Sequence, residues 1–411
     1  MTGPDLRNLL ICRQLLRDKT MKALITAMIK KDDANTSLAS SRLIYEAERI
    51  GFSGSLIRGY LLHRLAHDEN IAARTIEAEN GNIGESLLAA FTHDIKILLP
   101  LLEQESSVFI PCEFLDNYTP TSIKTHESRA AMADMLKDAH TASEYTNAFM
   151  QYYKKYGYGD IASYSAFCWD ENNRKLRGIK HFEPQDLSDI IGYERQKKQL
   201  IENTHAFIND LPSNNVLLVG ARGTGKSSSV KALAKHFYSD GLRLLQITRH
   251  QLKSLPDIME YLRQFASKHF IIFMDDLSFE ESETEYKYLK SAIEGGVESR
   301  PKNVLIYATS NRRHLIKETW RDRDSGLDEL YRKDSMNETI SLSDRFGLII
   351  TFMAPDQQQY LDIISHYLQK AGIKLDDDKL RILGRQWEVE HSGRSGRTAQ
   401  QFVNYYLGTM K

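Results

Sequence analysis

A glycine-rich turn between an apolar run and a helix-like segment constrains the fold more than any other stretch of this 411-residue chain. The run Val216–Val219 leads into GARGTGKS (residues 220–227), which has the spacing of a phosphate-binding loop. Glycines allow the backbone angles that let successive N–H groups surround phosphate oxygens, and the following helix directs its positive end at the same anion. The sequence therefore predicts a nucleotide-binding site at this turn.

The residues of this loop have predicted roles. Lys226 is expected to reach the β- and γ-phosphates, and the Ser227 hydroxyl is expected to bind Mg²⁺. The other loop residues are expected to surround the nucleotide: Gly220, Ala221, Arg222, Gly223, Thr224, Gly225 and Ser228. The cofactors that this loop implies are a nucleotide and Mg²⁺.

Apolar runs of strand length alternate with helical patterns in the second half of the chain. We predict five strands, at Val216–Val219, Gly241–Thr248, Phe270–Leu277, Asn303–Asn311 and Leu348–Met353. Such alternation is typical of an α/β fold with a parallel sheet covered on both faces. We therefore expect a P-loop α/β core at 181–354, a helical lid at 355–411 and a mainly α-helical domain at 1–180.

Two stretches of the N-terminal region leave alternatives open. Leu6–Ile29 is a basic amphipathic pattern, which suits a membrane surface, nucleic acid, or a solvated helix packed on its own domain. Tyr152–Trp169 is dense in aromatic residues beside Lys154 and Lys155, which suits base stacking or core filling. Packing within the protein is the favoured interpretation of both stretches.

Charge and cysteine content exclude several classes of protein. The formal net charge is −1, so no overall field points to nucleic acid or to a membrane, and only local patches remain. The three cysteines (Cys12, Cys112 and Cys168) have no metal-type spacing and predict free thiols in a reducing compartment. We find no apolar run long enough to span a bilayer and no signal peptide, so we expect a cytoplasmic protein.

Polar residues stand at the ends of two predicted strands, and an arginine stands before a third. Asp275 ends an apolar strand where a P-loop fold holds Mg²⁺ through water, and Asp276 is placed to orient or deprotonate the attacking water. Asn311 ends the next strand and is expected to hold the same water and the γ-phosphate, unless it only forms a turn. Arg345 is a candidate to stabilise phosphoryl charge, with a local pair to Asp344 as the alternative.

Residues 187–407 resemble the AAA+ ATPases in the order and spacing of six motifs. GARGTGKS is similar to the Walker A motif, and the others are similar in turn to the adenine-side box, Walker B, first sensor, arginine-finger box and second sensor: LSDIIGY (187–193), FIIFMDDL (270–277), ATSN (308–311), LSDRFG (342–347) and GRSGR (393–397). The resemblance implies that Ile191 and Gly192 contact the adenine and that Arg397, or its neighbour Arg394, is the lid arginine.

The resemblance is closer still to an uncharacterised bacterial family of predicted ATP-binding proteins, from about Tyr152 to the C-terminus. It implies an ATPase core with a lid, and a homo-oligomer in which Arg345 enters the site of the neighbouring subunit. The macromolecular partner that the ATPase acts on does not follow from it.

Two departures from the AAA+ pattern bear on activity. The Walker B motif ends in Asp275-Asp276 instead of Asp-Glu, as in replication-initiator members, and the shorter side chain suits a slow, switch-like ATPase. Glu280 is the alternative carboxylate. The loop TRHQLKSLP (248–256) lacks the aromatic and glycine of members that thread proteins, which disfavours processive unfolding.

Three functions agree with these observations. The first is a Mg-dependent ATPase that remodels or loads a macromolecular partner. The second is a nucleotide-gated binding or scaffold protein with little turnover. The third is a DNA-associated, initiator-like ATPase, which the Asp-Asp pair and the basic residues of 248–256 suggest.

Overall fold

The computed structural model describes residues 4–123, 126–280, 285–294, 300–311, 316–317, 343–391 and 393–409. The chain folds into two compact units. The first unit contains Met1–Tyr164 together with Gln264–Lys268, a short segment from much later in the sequence. The second contains Ser165–Arg263 and His269–Lys411.

Helices build the first unit. They are α1 (Lys19–Lys30), α2 (Asp33–Ile50), α3 (Leu56–His67), α4 (Ile71–Ala78), α5 (Glu85–Glu103), α6 (Ser106–Phe109), α7 (Glu127–Met135), α8 (Ala142–Tyr156) and α9 (Gly159–Ser163). Helix α8 begins at a capping box, in which Thr141 and Glu144 each accept a backbone N–H from the other. A capping box of this kind defines the first residue of a helix, because it satisfies donors that have no partner in the helix.

The two stretches for which alternatives were left open contribute most of their apolar side chains to the interior, with Leu10 and Ile29 as exposed exceptions. The segment Leu6–Ile29 forms two 3-10 turns before α1, and Leu9, Leu15 and Leu24 are completely buried. In the aromatic stretch, Tyr152 and Tyr153 of α8 are also buried. Both stretches therefore fill the core, which is the favoured alternative.

The second unit contains a seven-stranded sheet. Its strands are β1 (Ala166–Asp170), β2 (Lys175–Gly178), β3 (Val216–Gly220), β4 (Leu242–Ile247), β5 (His269–Met274), β7 (Val304–Ser310) and β9 (Leu348–Phe352). Their order is β2-β1-β4-β5-β7-β3-β9, and every pair is parallel except β1 with β2. Two-residue strands β6 (Phe279–Glu280) and β8 (Ile316–Lys317) pair separately.

Apolar sequence decides which strands are central. Every residue of β5 and β7 is buried, because helices cover both faces of a parallel sheet, whereas the edge strand β9 alternates between buried and more exposed residues. All five predicted strands are present, and the predicted α/β P-loop fold is confirmed. The first two strands were not predicted: they lie within 1–180 but hydrogen-bond to the sheet of the second unit.

Helices of the second unit pack on the sheet or form a separate cluster. Those before β9 are α10 (Glu194–Ile208), α11 (Lys226–His236), α12 (Leu255–Arg263) and α13 (Tyr286–Glu294). The last three, α14 (Gln357–Lys370), α15 (Asp377–Glu390) and α16 (Gly396–Thr409), share an apolar cluster that includes Tyr360, Ile364 and Phe402. Among the helices that the structure describes, none has both the length and the apolarity needed to cross a bilayer.

Candidate active site

One cavity of about 660 Å³ contains most of the residues that the sequence predicted to act together. It lies at the carboxyl ends of β3, β5 and β7 and is covered by α14 and α16. Its lining residues are Gln185, Asp189, Ile190, Ile191, Tyr193, Arg222, Gly223, Thr224, Gly225, Lys226, Ser227, Ser228, Asp275, Asp276, Thr309, Asn311, Ile363, Tyr367, Gly396, Arg397, Gln400 and Gln401. A volume of this size suits a small-molecule ligand, since such pockets typically hold about 300–1,000 Å³.

The glycine-rich loop between β3 and α11 takes backbone conformations that other residues rarely adopt. Gly220 has φ 140°, and a Cβ there would lie 1.9 Å from the carbonyl oxygen of Phe352 in the neighbouring strand β9. Gly223 has φ 73°, and a Cβ there would lie 2.9 Å from the Ser395 hydroxyl. The glycines are therefore required both by the turn and by the close approach of two other segments.

The Lys226 ammonium lies inside the loop. Its Nζ donates to the carbonyls of Gly220 at 2.8 Å and Ala221 at 2.7 Å, and to Asn311 Oδ1 at 3.2 Å. Burial lowers the pKa of Lys226, and Asp276 and Asp275 partly oppose that effect. A cation held at the loop by weak carbonyl acceptors is suited to exchange them for phosphate oxygens.

Ser227 and Asp275 lie side by side on the cavity wall. Ser227 Oγ donates to Asp275 Oδ1 at 2.5 Å, and Thr309 Oγ1 donates to the same oxygen at 2.7 Å. A hydroxyl and a carboxylate are oxygen ligands of the kind that Mg²⁺ prefers. Among the described residues there is no group of three or more His, Cys, Asp or Glu side chains that could hold a metal ion.

Asp276 and Asn311 form the next pair along the cavity wall. Asn311 Nδ2 donates to Asp276 Oδ1 at 2.5 Å, while Asn311 Oδ1 accepts from Lys226. Asp276 has φ 53°, a left-handed conformation that is unusual for a residue other than glycine. Asn311 therefore bridges the loop lysine and the second aspartate in this structure.

The structure brings some of the predicted site residues to the cavity and leaves others outside its lining. Ile191, Arg222–Ser228, Asp275, Asp276, Asn311 and Arg397 line it. Gly220 and Ala221, at the start of the loop, are not in the lining, but their carbonyl oxygens accept hydrogen bonds from Lys226 Nζ. Gly192 is also not in the lining and follows the lining residue Ile191. Arg394 pairs with Glu388 at 3.0 Å instead. The side chain of Glu280 and residues 312–315 and 318–342 lie outside the described residues.

Arg345 does not line the cavity. Its guanidinium forms an ion pair with Glu294 at the end of α13, whereas the sequence suggested Asp344 as its local alternative partner. The Arg345 side chain is 22% exposed. Its ion-pair partner Glu294 does not line the cavity either.

Two sets of contacts join the last three helices to the rest of the cavity wall. At the loop, the backbone N–H of Gly396 donates to the carbonyl of Gly223 at 2.8 Å. At the other end, Lys370 Nζ donates to Asp189 Oδ2 at 2.6 Å. This ion pair lowers the pKa of Asp189 and raises the pKa of Lys370. The helices are thus connected to both ends of the cavity.

Sequence reasoning did not single out several lining residues. Asp189 belongs to the LSDIIGY motif, but its partner Lys370 is 181 positions away. Thr309 belongs to ATSN, and its position two residues before Asn311 at the end of a buried strand was an available signal. Tyr367, Gln400 and Gln401 lie on exposed-looking helices, and no sequence pattern distinguished them.

Comparison with known proteins places the second half of the chain in a family. The family model described as "Protein of unknown function (DUF815)" matches residues 162–410. The match covers more than half of the chain and includes every residue of the cavity.

Curated relatives match shorter parts. The replication factor C small subunit of Natronomonas pharaonis is 26% identical over 184 residues, which are 40% of this chain and 54% of that protein. Human replication factor C subunit 5 is 30% identical over 101 residues, which are 24% of this chain and 28% of that protein. The chain therefore spans about half, or less, of the length of these relatives.

Solved structures give weaker likenesses. The Thermotoga maritima RuvB Holliday junction branch migration motor is 16% identical, with a TM-score of 0.39, over 56% of this chain and 66% of that one. The FIGL-1 AAA domain in complex with ADP is 19% identical, with a TM-score of 0.37, over 54% of this chain and 73% of that one. Because both TM-scores are below 0.5, neither likeness bears on the activity.

Proposed function

The chain belongs to the DUF815 family of proteins of unknown function, and we propose that it is an ATPase that couples Mg·ATP hydrolysis to movement between core and lid. The observation that carries this proposal is the convergence of Lys226, Ser227, Asp275, Asp276 and Asn311 on one cavity. A cation, a hydroxyl, two carboxylates and an amide at the mouth of a glycine-rich loop are the groups that phosphoryl transfer requires.

We assign ATP to the cavity from its chemistry. The left-handed glycines of the loop and the start of α11 offer N–H groups and a positive helix end to the phosphates. Ile190, Ile191 and Tyr367 line the cavity and provide apolar surface for a base. Arg397 at the start of α16 is our candidate for the lid arginine, since it lines the cavity and Arg394 does not.

Ser227 and Asp275 are the residues that would hold Mg²⁺, which when bound neutralises charge on the phosphate oxygens. Asp276 is proposed to accept the proton of the attacking water, and the Asn311 amide to orient Asp276. The water oxygen bonds to the γ-phosphorus as the bond from that phosphorus to the bridging oxygen breaks. The products are ADP and phosphate.

We propose that the complete site needs a second copy of the chain. Arg345 pairs with Glu294 and is not among the residues that line the cavity, which supports a role for it in the site of a neighbouring chain. A finger supplied to a neighbouring site requires a head-to-tail contact, which generates rings or filaments. Residues 181–354 would serve as the ATPase core and 355–411 as the lid.

The partner is proposed as a macromolecule that the ATPase loads or remodels, in a cytoplasmic setting that the free thiols favour. The second candidate is a DNA-associated role. Similarity to replication factor C subunits favours it, as do the exposed side chains of Arg249, His250 and Lys253. A nucleotide-gated scaffold with little turnover is the remaining alternative.

Steady-state phosphate release, measured beside calorimetric ATP binding, separates these functions. We expect Mg-dependent turnover by the wild-type protein, and stimulation by DNA would select the DNA-associated role. Tight binding without turnover, even with nucleic acid present, would instead favour the scaffold. Absence of ATP binding would overturn the proposal.

A further inference from the structure

Thr309, near the end of β7, contacts three consecutive residues that follow β5. Its hydroxyl donates to Asp275 Oδ1 at 2.7 Å and accepts from the backbone N–H of Asp276 at 2.9 Å. Its carbonyl accepts from the backbone N–H of Leu277 at 2.7 Å. The residue is 1% exposed, so the protein around it limits the positions that its hydroxyl can take. One buried residue thus fixes the turn that carries both aspartates.

The direction of the hydroxyl hydrogen follows from its partners. A threonine hydroxyl has one hydrogen to donate, and the Asp276 N–H has no capacity to accept. The hydrogen therefore points to Asp275 Oδ1, the oxygen that Ser227 also contacts. No described residue donates a hydrogen bond to Asp275 Oδ2. The carboxylate is consequently held by one oxygen, with the other left for a ligand in the cavity.

The second contact stabilises an unfavourable backbone conformation. Asp276 has φ 53°, which costs free energy in any residue with a Cβ and persists only when neighbouring groups enforce it. Its N–H bond to Thr309 supplies one such constraint, and the Leu277 N–H bond supplies another. In this conformation the Asp276 carboxylate meets the Asn311 amide.

We propose that Thr309 is a positioning residue for Mg·ATP hydrolysis, holding Asp275 toward the ion and Asp276 toward the attacking water through one hydroxyl. This inference rests on the proposed function, because both aspartates matter only if Mg·ATP is the substrate. Thr309 lines the cavity, and the role proposed for it is to position the two aspartates that its hydroxyl contacts.

The test compares Thr309→Val with two other variants. Valine keeps the shape and β-branching of threonine but removes both hydroxyl contacts, whereas Thr309→Ser keeps the hydroxyl. Thr204→Val is the matched control: Thr204 is completely buried in the same unit, and its hydroxyl bonds only to the Tyr307 hydroxyl, at 2.9 Å, among the described residues. All three variants are measured for unfolding, for turnover, and for binding of a fluorescent ATP analogue over a range of Mg²⁺ concentrations.

We expect Thr309→Val to lower kcat about 10–100-fold, as loss of a residue that holds a metal ligand typically does. We also expect the Mg²⁺ concentration that gives half of the Mg²⁺-dependent change in analogue binding to rise by about the same factor. Binding of the analogue without Mg²⁺ should stay unchanged, and Thr309→Ser should restore most of both losses. If Thr309→Val and Thr204→Val behave alike in every measurement, or if serine fails to rescue, Thr309 has a structural role only and the inference is overturned.

Failure of the proposed function gives a different result. A wild-type protein that binds no ATP analogue overturns that function and this inference together. If the wild-type protein binds the analogue but does not hydrolyse ATP, the Mg²⁺ dependence of analogue binding can still be compared between the variants. In that case an unshifted Mg²⁺ dependence in Thr309→Val overturns the inference, and a shifted one supports it.

Discussion

Two aspartates, one in each unit, show how the surroundings of a carboxylate separate structure from chemistry. Asp94 in α5 is completely buried and accepts the backbone N–H groups of Leu10, Ile11 and Cys12 at distances from 2.7 to 3.1 Å. Asp275 is exposed at the cavity wall, and the described residues donate to one of its oxygens only.

The difference lies in the donors. Both carboxylate oxygens of Asp94 accept hydrogen bonds from backbone N–H groups of the same unit. These bonds attach the N-terminal segment to α5 and leave neither oxygen open to a ligand. Asp275 receives two side-chain hydroxyls, both on Oδ1, and it borders a cavity. Asp94 is therefore used up inside the protein, whereas Asp275 keeps bonding capacity on the wall of a cavity.

Lys226→Ala provides the largest test of this contrast. We expect it to abolish ATP binding, because Lys226 is the lysine of the loop and its ammonium already lies among the predicted phosphate-binding groups. Calorimetric titration with Mg·ATP measures the effect. The matched control is Lys231→Ala, because Lys231 lies on the same helix α11 but does not line the cavity. Unchanged affinity in Lys226→Ala would remove the nucleotide site from the second unit.

Arg345 tests whether that site is complete in one chain. An arginine finger is typically worth about 10³–10⁵ in rate, so Arg345→Ala should nearly stop turnover while ATP binding persists. Mixing inactive Lys226→Ala and Arg345→Ala proteins should restore activity where an intact loop meets an intact arginine.

Glu294→Gln is the control for that experiment. If the pair with Glu294 serves stability alone, both Glu294→Gln and Arg345→Ala lower the free energy of unfolding and neither affects turnover specifically. No recovery at any mixing ratio, in a sample shown to exchange subunits, would rule out the shared site.

Asp276→Asn should keep ATP binding and slow hydrolysis by about 10²–10⁴-fold, as losses of a general base typically do. The asparagine oxygen can still accept from Asn311, so the geometry should survive while proton acceptance is lost. Single-turnover kinetics measure the effect. If hydrolysis is unaffected but Glu280→Gln slows it, the second carboxylate of the site has been misidentified.

Asp94→Asn should have the smallest effect on activity, and it tests whether Asp94 has a structural role only. We expect about 1–3 kcal/mol of lost unfolding free energy for each backbone donor left without an acceptor, with the turnover of the folded protein unchanged. Urea unfolding measures the loss. Asp5→Asn is the control, because its exposed pair with Arg7 should contribute little. Reduced turnover at full folding would give Asp94 a role beyond structure.

The sequence predicted those site residues whose positions depend on neighbours in the chain or on the ends of strands. The loop residues from Gly220 to Ser228 follow one another in the chain, and Asp275, Asp276 and Asn311 follow from the rule that parallel strands end at one edge. The ATSN motif placed Thr309 near the end of a strand, but its contacts with Asp275 and Asp276 depend on β7 lying beside β5, a neighbour relation that spacing does not encode. The pair of Arg345 with Glu294 was missed for the same reason.

Strand prediction failed for two short strands at one end of the sheet. Strand β1 reads AFCWD and β2 reads KLRG, and neither shows the long apolar run that identified the central strands. They form an antiparallel pair at one end of the sheet, in which β2 is the edge strand and β1 lies between β2 and β4. The predicted domain limits at 180 and 354 stay predictions.

The segment Gln264–Lys268 has a consequence for the order in which the chain folds. Lys268 Nζ lies 3.3 Å from Glu77 Oε1, both side chains are almost completely buried, and Ser267 donates to Glu77 from 190 positions away. A ribosome adds about 5–20 residues per second, so this segment emerges roughly 5–20 s after Tyr164. Until then Glu77 lacks its cation, and the N-terminal helices must wait for part of the second unit to be translated before they can complete their own interior.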